Sequence, residues 1–219
     1  MSLIESGHLQ TPTSAKMEEK VFSPILVRES PVNKTPQRGN LTGNPRKIRD
    51  SAADFYNLIQ EWNSYHIKGS EILMKIHLLK SRSMKEDGND QPKPTYPEGL
   101  QELCNDLHDI CTLMSKVVER MMTTKAEVCG VVKLETLRSS CDSPMFLTWP
   151  ADRFDETWSL ITKAYETELA LKVYIKENVA HTTTEANLMF FLASWAHQPY
   201  VETRVDVATE ALLKETGHR

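Results

Sequence analysis

Three side chains with zinc-type donors stand close together: Cys104, His108 and Cys111 occupy positions i, i+4 and i+7. On a helix that spacing brings all three to one face, and His66 or His77 from an earlier helix could supply a fourth donor. Three ligands on one helix, with no compact loop between them, make an unusual structural zinc site. Cysteine also behaves commonly as a small buried hydrophobe. The expectation is therefore no metal and no other cofactor. Asp152, Asp155, Glu156, Glu166 and Glu168 sit among lysines on what read as solvent faces, where i,i+4 pairing rather than a catalytic acid and base is the reading. Gly39-Asn40-Leu41-Thr42-Gly43 lacks the ending of a phosphate-binding loop, and GxSxG, HExxH and CxxC are all missing. These residues point away from an enzyme.

Two other groups of residues could carry recognition. Thr11, Ser23, Ser30 and Thr35 each precede a proline, as does Ser143. Proline-directed kinases need an extended peptide of this kind. Thr35-Pro36-Gln37-Arg38 adds a basic residue three places on, as cyclin-dependent kinases prefer. Phosphate on any of them would add about −2 charge units. Tails rich in Ser, Thr and Pro generate such dipeptides without regulation, so only Thr35 carries the fuller motif. The second group is Trp195, His197, Gln198, Pro199 and Tyr200, an indole, imidazole, amide and phenol around a proline turn. It reads either as an aromatic plug that joins two helices and covers the hairpin or as a binding hot spot; the plug is the preferred reading.

The elements that must hold these residues are helical. Residues 1–45 are rich in Pro, Ser, Thr, Asn and Gly and read as a disordered tail. Residues 46–219 form the helical body. Ile48, Ala52, Phe55, Ile59, Trp62, His66, Gly69, Leu73 and Ile76 alternate by four and three residues, a heptad seam predicting a helix over 46–82. Asp50 or Ser51 could cap its start. His66 and Gly69 are poor seam residues and mark a bend or a gap for a partner to fill. A loop rich in Gly and Pro follows. A second seam, Leu100, Leu103, Leu107, Ile110, Met114, Val117, Met121, Thr124 and Val128, predicts a helix over 97–137. Leu107 and Ile110 are candidate partner contacts on it. The two helices, each about 40–50 Å long, should fold back on each other. Residues 150–219 form an aromatic-rich layer of shorter helices, broken at His197–Tyr200. The fold class is all-α: a long, antiparallel, coiled-coil-like helical hairpin plus C-terminal helices, with a disordered N-terminal tail.

Composition agrees with this picture. Lys and Arg total 26 against 30 Asp and Glu, a net charge of −4, which gives no electrostatic footprint for direct nucleic-acid binding. No run approaches the roughly 18–20 apolar residues of a membrane span. The N-terminus has no secretory pattern, and Cys104, Cys111, Cys129 and Cys141 read as reduced thiols. The basic cluster Pro45-Arg46-Lys47-Ile48-Arg49 reads as a solvated helix start.

Several multi-residue blocks, occurring in a fixed order, carry a family resemblance. They are Arg46-Lys47-Ile48-Arg49-Asp50, Ala52-Ala53-Asp54 and Asn57-Leu58-Ile59; Thr148-Trp149-Pro150; Trp195 with His197-Gln198-Pro199-Tyr200-Val201-Glu202; and Glu215-Thr216-Gly217-His218-Arg219. Over about residues 45–219 the chain resembles the cyclin-dependent kinase 2-interacting protein family. The resemblance implies a nuclear, non-enzymatic adaptor that binds cyclin-dependent kinase 2 and the Cdc7 replication kinase. It implies association with origin-recognition and MCM replication proteins and with the ATR-interacting protein, hence roles in DNA replication, the cell cycle and DNA-damage signalling. It also implies a subunit of an AAA+ ATPase complex acting in 60S ribosome maturation and replisome protein turnover. No catalytic residues carry over. The rival expectation is a dedicated kinase regulator or substrate acting mainly through the tail.

Overall fold

A computed structural model describes residues 43–85, 96–138 and 144–219, with only the backbone of Lys85 and Arg138. Thr11, Ser23, Ser30, Thr35, Cys141 and Ser143 lie outside the described residues. Five helices form the described body: α1 (Asn44–Lys85), α2 (Leu100–Arg138), α3 (Ala151–Asn178), α4 (Glu185–His197) and α5 (Thr203–Glu215). There is no strand among the described residues.

The first helix begins earlier than Asp50 or Ser51. Gly43 adopts a left-handed φ of 74°, its carbonyl accepts from the Lys47 N–H at 3.2 Å, and the helix runs from Asn44. The Asn44 amide donates to Glu135 Oε2 at 2.9 Å, tying the start of α1 to the end of α2. The two helices have 42 and 39 residues, so each is about 60 Å long at the helical rise, longer than the heptads alone suggest.

Neighbour relations close a ring. Helix α1 packs on α2, α2 on α3, and α3 on both α4 and α5, which in turn pack back on α1. Each neighbouring pair is antiparallel, as paired contacts show. Glu61 meets Arg120 across α1 and α2; Cys111 meets the Lys172 carbonyl across α2 and α3; His77 meets Glu185 across α1 and α4. The C-terminal helices α4 and α5 therefore act as one fourth helix cut in the middle, and the body is an up-down-up-down four-helix bundle. Helices α1 and α3 face each other across the diagonal, where small side chains would leave a void. Aromatic edges fill it: Phe55 lies 6.0 Å from Trp158 and Trp62 lies 5.2 Å from Tyr165, both near-perpendicular pairs. The heptad residues Ile48, Phe55, Trp62, Leu73 and Ile76 of α1, and Leu107, Met114, Val117 and Met121 of α2, are buried in this core.

The far end of the split helix is locked by a carboxylate. Helix α5 closes in a Schellman turn: Gly217 takes φ 75°, its N–H reaches the Lys214 carbonyl at 3.1 Å, and the His218 N–H reaches Leu213 at 2.8 Å. Glu215, just inside that turn, accepts the backbone N–H groups of Leu147, Thr148 and Trp149 and the Thr148 hydroxyl at 2.6–2.9 Å. Burial would raise its pKa, but these hydrogen bonds outweigh burial and hold the carboxyl below the usual range. His218 then reaches the Arg49 carbonyl at 2.8 Å, and Arg219 meets Glu210 and the Tyr56 hydroxyl. The connector before α3, the end of α5 and the start of α1 are thereby joined at one end of the bundle. Glu215→Gln should cost about 1–3 kcal/mol in urea unfolding at neutral pH, because three backbone N–H groups and a hydroxyl lose a charged acceptor. Because the folded carboxyl titrates below its unfolded value, the wild-type advantage should shrink as pH falls through the carboxylate range.

Candidate functional site

The weak point of the α1 seam is filled from within the chain. A Cβ on Gly69 would overlap the indole of Trp195, so glycine there opens a notch that the Trp195 ring occupies. Trp195 is fully buried, and its Nε1 donates to the His66 carbonyl at 3.1 Å. Over the same ring, 4.2 Å from its centroid, sits the Lys172 ammonium. Lys172 also donates to the Trp195 carbonyl at 3.2 Å and lies 3.2 Å from Glu168 Oε1. Lys172 and Glu168 are both 0% exposed. The second oxygen of Glu168 accepts the Tyr200 N–H at 3.1 Å, and Trp62 Nε1 donates to Gln198 Oε1 at 2.7 Å.

Glu168 thus differs from its sequence expectation. Its i,i+4 spacing from Lys172 resembles a solvent-face pair, but the face it occupies is covered by α1 and the break between α4 and α5. That break has a local cause. Gln198 adopts the left-handed conformation at φ 44°, Pro199 cannot extend a helix, and the Val201 N–H closes a turn on the Gln198 carbonyl at 2.9 Å. Burial lowers the Lys172 pKa to about 8 despite the opposing effect of Glu168. Burial, and then the Lys172 charge, lowers His66 to about 4, leaving its Nδ1 neutral and 3.3 Å from the Lys172 ammonium.

Ser81, His77 and Glu185 meet, as in a hydrolase triad. However, Ser81 Oγ (3.4 Å) and Glu185 Oε1 (2.8 Å) approach the same nitrogen, His77 Nε2. Ser81 Oγ also lies 2.6 Å from Glu185 Oε2, in position to donate to it. A triad needs the acid on one ring nitrogen and the nucleophile on the other. This set instead staples α1 to the start of α4. The five thiol and imidazole donors also disperse. Cys111 faces the Lys172 carbonyl, burial raises its thiol to about 11, His108 is exposed, and His66 and His77 point to the contacts above. Among the described residues no three His, Cys, Asp or Glu side chains gather as metal ligands.

The candidate recognition residues separate by burial. Leu107, Ile110 and Trp195 are covered by the chain's own core, so nothing could reach them without parting helices. Gln198 is half-buried and engaged with Trp62, whereas His197, Pro199 and Tyr200 are exposed beside a depression that runs toward Arg204 and Asp206. What the heptads do not single out are large apolar side chains on outward faces, among them Ile67, Met74, Leu78, Met189 and Phe190. Their signal in the sequence is faint: Ile67, Met74, Met189 and Phe190 each lie one position off a buried stripe, and Leu78 lies two positions off. No helix among the described residues is long and apolar enough to cross a membrane.

Known proteins resemble this chain along most of its length. It is 32% identical to the mouse cyclin-dependent kinase 2-interacting protein, over 84% of this chain and 95% of that protein. The Xenopus laevis protein of the same name is 33% identical, over 87% of this chain and 98% of its own length. The human one is 31% identical over 84% and 95%. A scan against protein-family models finds no match.

Two outcomes follow from the buried pair. Lys172→Met should cost about 3–5 kcal/mol, because Glu168 is left charged and buried. Adding Glu168→Gln, which keeps an acceptor for Tyr200, should recover at least about half of that in a double-mutant cycle. Thermal melts should also lose stability as pH falls from 6.5 toward 4, since the unfolded chain protonates His66 and the folded chain resists. His66→Gln should flatten that slope.

Proposed function

The chain belongs to the cyclin-dependent kinase 2-interacting protein family, and we propose that it works as a non-enzymatic nuclear adaptor whose helical body docks partner proteins. The observation that supports this reading most is the split of roles within the body. Its seams, and the buried pair Lys172 and Glu168, are used in closing four helices on one another, while large apolar side chains remain on the outside. Relatives named for interaction with cyclin-dependent kinase 2 make that kinase the first partner to expect. The family resemblance extends the proposal to Cdc7 kinase, to origin-recognition and MCM proteins, to the ATR-interacting protein and to subunits of an AAA+ ATPase complex. In that setting the adaptor would serve replication, checkpoint signalling, 60S ribosome maturation and replisome protein turnover. The exposed His197, Pro199 and Tyr200 are candidate contacts, and Thr35, Ser30, Ser23 and Thr11 are candidate sites of kinase input.

The alternative, a kinase regulator or substrate acting through its tail, predicts a different dependence. Full-length protein with Thr11, Ser23, Ser30 and Thr35 all changed to Ala should still co-precipitate cyclin-dependent kinase 2 and the ATPase subunits from nuclear extract. Loss of every partner from that variant, with an unchanged circular dichroism spectrum, would favour the tail instead.

A further inference from the structure

Helix α4 is unusual in what it shows to solvent. Its buried stripe is Leu188, Phe191 and Trp195, yet the other side is also apolar: Met189 is 49% and Phe190 62% exposed, with Ala186 and Ala193 open between them. Its single carboxylate, Glu185, is turned to His77 and Ser81 of α1. The adjoining flank of α1 continues the apolar surface with Ile67 (58%), Met74 (46%) and Leu78 (50%). The antiparallel register, pinned by His77 on Glu185 and Gly69 on Trp195, sets Met74 level with Met189. Contiguous exposed apolar side chains of this size mark an interaction surface.

What should cover it is written in the charges beside it. Lys68, Lys75 and Arg82 are exposed and spaced by seven residues, a straight row along α1 parallel to Ile67 and Met74, which share the same spacing. Neither Lys75 nor Arg82 has an ion-pair partner among the described residues, and the one carboxylate on this stretch is Glu71. Apolar and cationic rows repeating every seven residues are what one helix offers another lying alongside it. The cations ask for acidic residues at the flanking positions of that second helix.

We propose that α4 and the C-terminal half of α1 form a docking site for an amphipathic helix of a partner protein, its apolar anchors on Met74 and Met189 and its acidic flank against Lys68, Lys75 and Arg82. This rests on the interaction reading given above and assigns it a surface. A single flat row of cations on one side of the strip fits a helix better than a lipid surface, which would meet charge on both sides.

Fluorescence anisotropy on the full-length protein tests it with two synthetic three-heptad peptides. They carry identical leucine anchors, one with glutamate flanks and one with lysine flanks. The acidic peptide should bind at least about tenfold more tightly than the basic one, and more weakly as salt rises. Met74→Asp with Met189→Asp should weaken it at least about tenfold, and Lys75→Glu with Arg82→Glu should transfer the preference to the basic peptide. All four positions are exposed, so melts should match the wild type. Equal binding of both peptides, or variants that bind the acidic one unchanged, would overturn the proposal. So would a wild-type dimer that the Asp pair turns into monomer in sedimentation, which would make the occupant a second copy. Capture by phosphatidylserine vesicles in preference to the acidic peptide, lost in the same variant, would likewise replace the helix by a membrane. Kinase co-precipitation reads separately: a chain that captures no kinase yet selects the acidic peptide through this strip overturns the adaptor reading and supports the surface.

Discussion

A lysine and a carboxylate with no access to water must be answered group by group, and Lys172 and Glu168 impose that requirement at the middle of the bundle. Lys172 needs acceptors and finds Glu168, the Trp195 carbonyl and the His66 ring. Glu168 needs donors and finds Lys172 and the Tyr200 N–H. These partners come from α1, from α3 and from the junction of α4 with α5. Satisfying one pair therefore fixes where α4 stops, how the chain turns at Gln198, and where α5 starts again. The indole of Trp195 adds bulk to the same place and fits only because position 69 is glycine. A uniformly apolar core would tolerate sliding of the fourth helix; a polar core with one satisfied arrangement does not.

The carboxylate of Glu215 plays the matching part at one end. It gathers three successive N–H groups of the connector ahead of α3, while the residues after it reach α1. With the middle and this end both pinned, the split helix is held as part of the body rather than as a loose flap. Under the proposed adaptor role, partners meet a preformed surface, not a seam that opens to receive them. The family blocks Thr148-Trp149-Pro150, Glu215-Thr216-Gly217-His218-Arg219 and the stretch from Trp195 to Glu202 are distant in sequence and fall at these two locks.

Much of this architecture was legible beforehand, for an identifiable reason. Heptad spacing is a property of one chain segment, so the seams of α1 and α2 and the all-α class could be read from residues alone. What covers a seam is a property of two segments. Leu107 and Ile110 look available on a helix considered singly, and become core once α1 and α3 lie against α2. Gly69 looks like a defect until a tryptophan more than a hundred residues later is placed over it. Glu168 and Lys172 carry the spacing of a solvent pair, and nothing local distinguishes a pair that faces water from one that faces Trp195. The early start of α1 has no local signature for a similar reason, because Asn44 is held by Glu135 at the far end of the next helix. The tail sites Thr11, Ser23, Ser30 and Thr35 stand outside the described residues, so their part in function rests on the motif alone.

Helices α4 and α5 are integral to a closed four-helix body, locked by Lys172, Glu168 and Trp195. Native-state hydrogen exchange on the free full-length protein measures this most directly, since it reports the opening of each helix separately. Amides of α4 and α5 should exchange with protection close to that of α1–α3, and Trp195→Ala should lower protection across α4 first. Fast exchange throughout 185–215 in the wild type, beside a protected α1–α3 core, would contradict it and leave the seam of α1 open for a partner to fill.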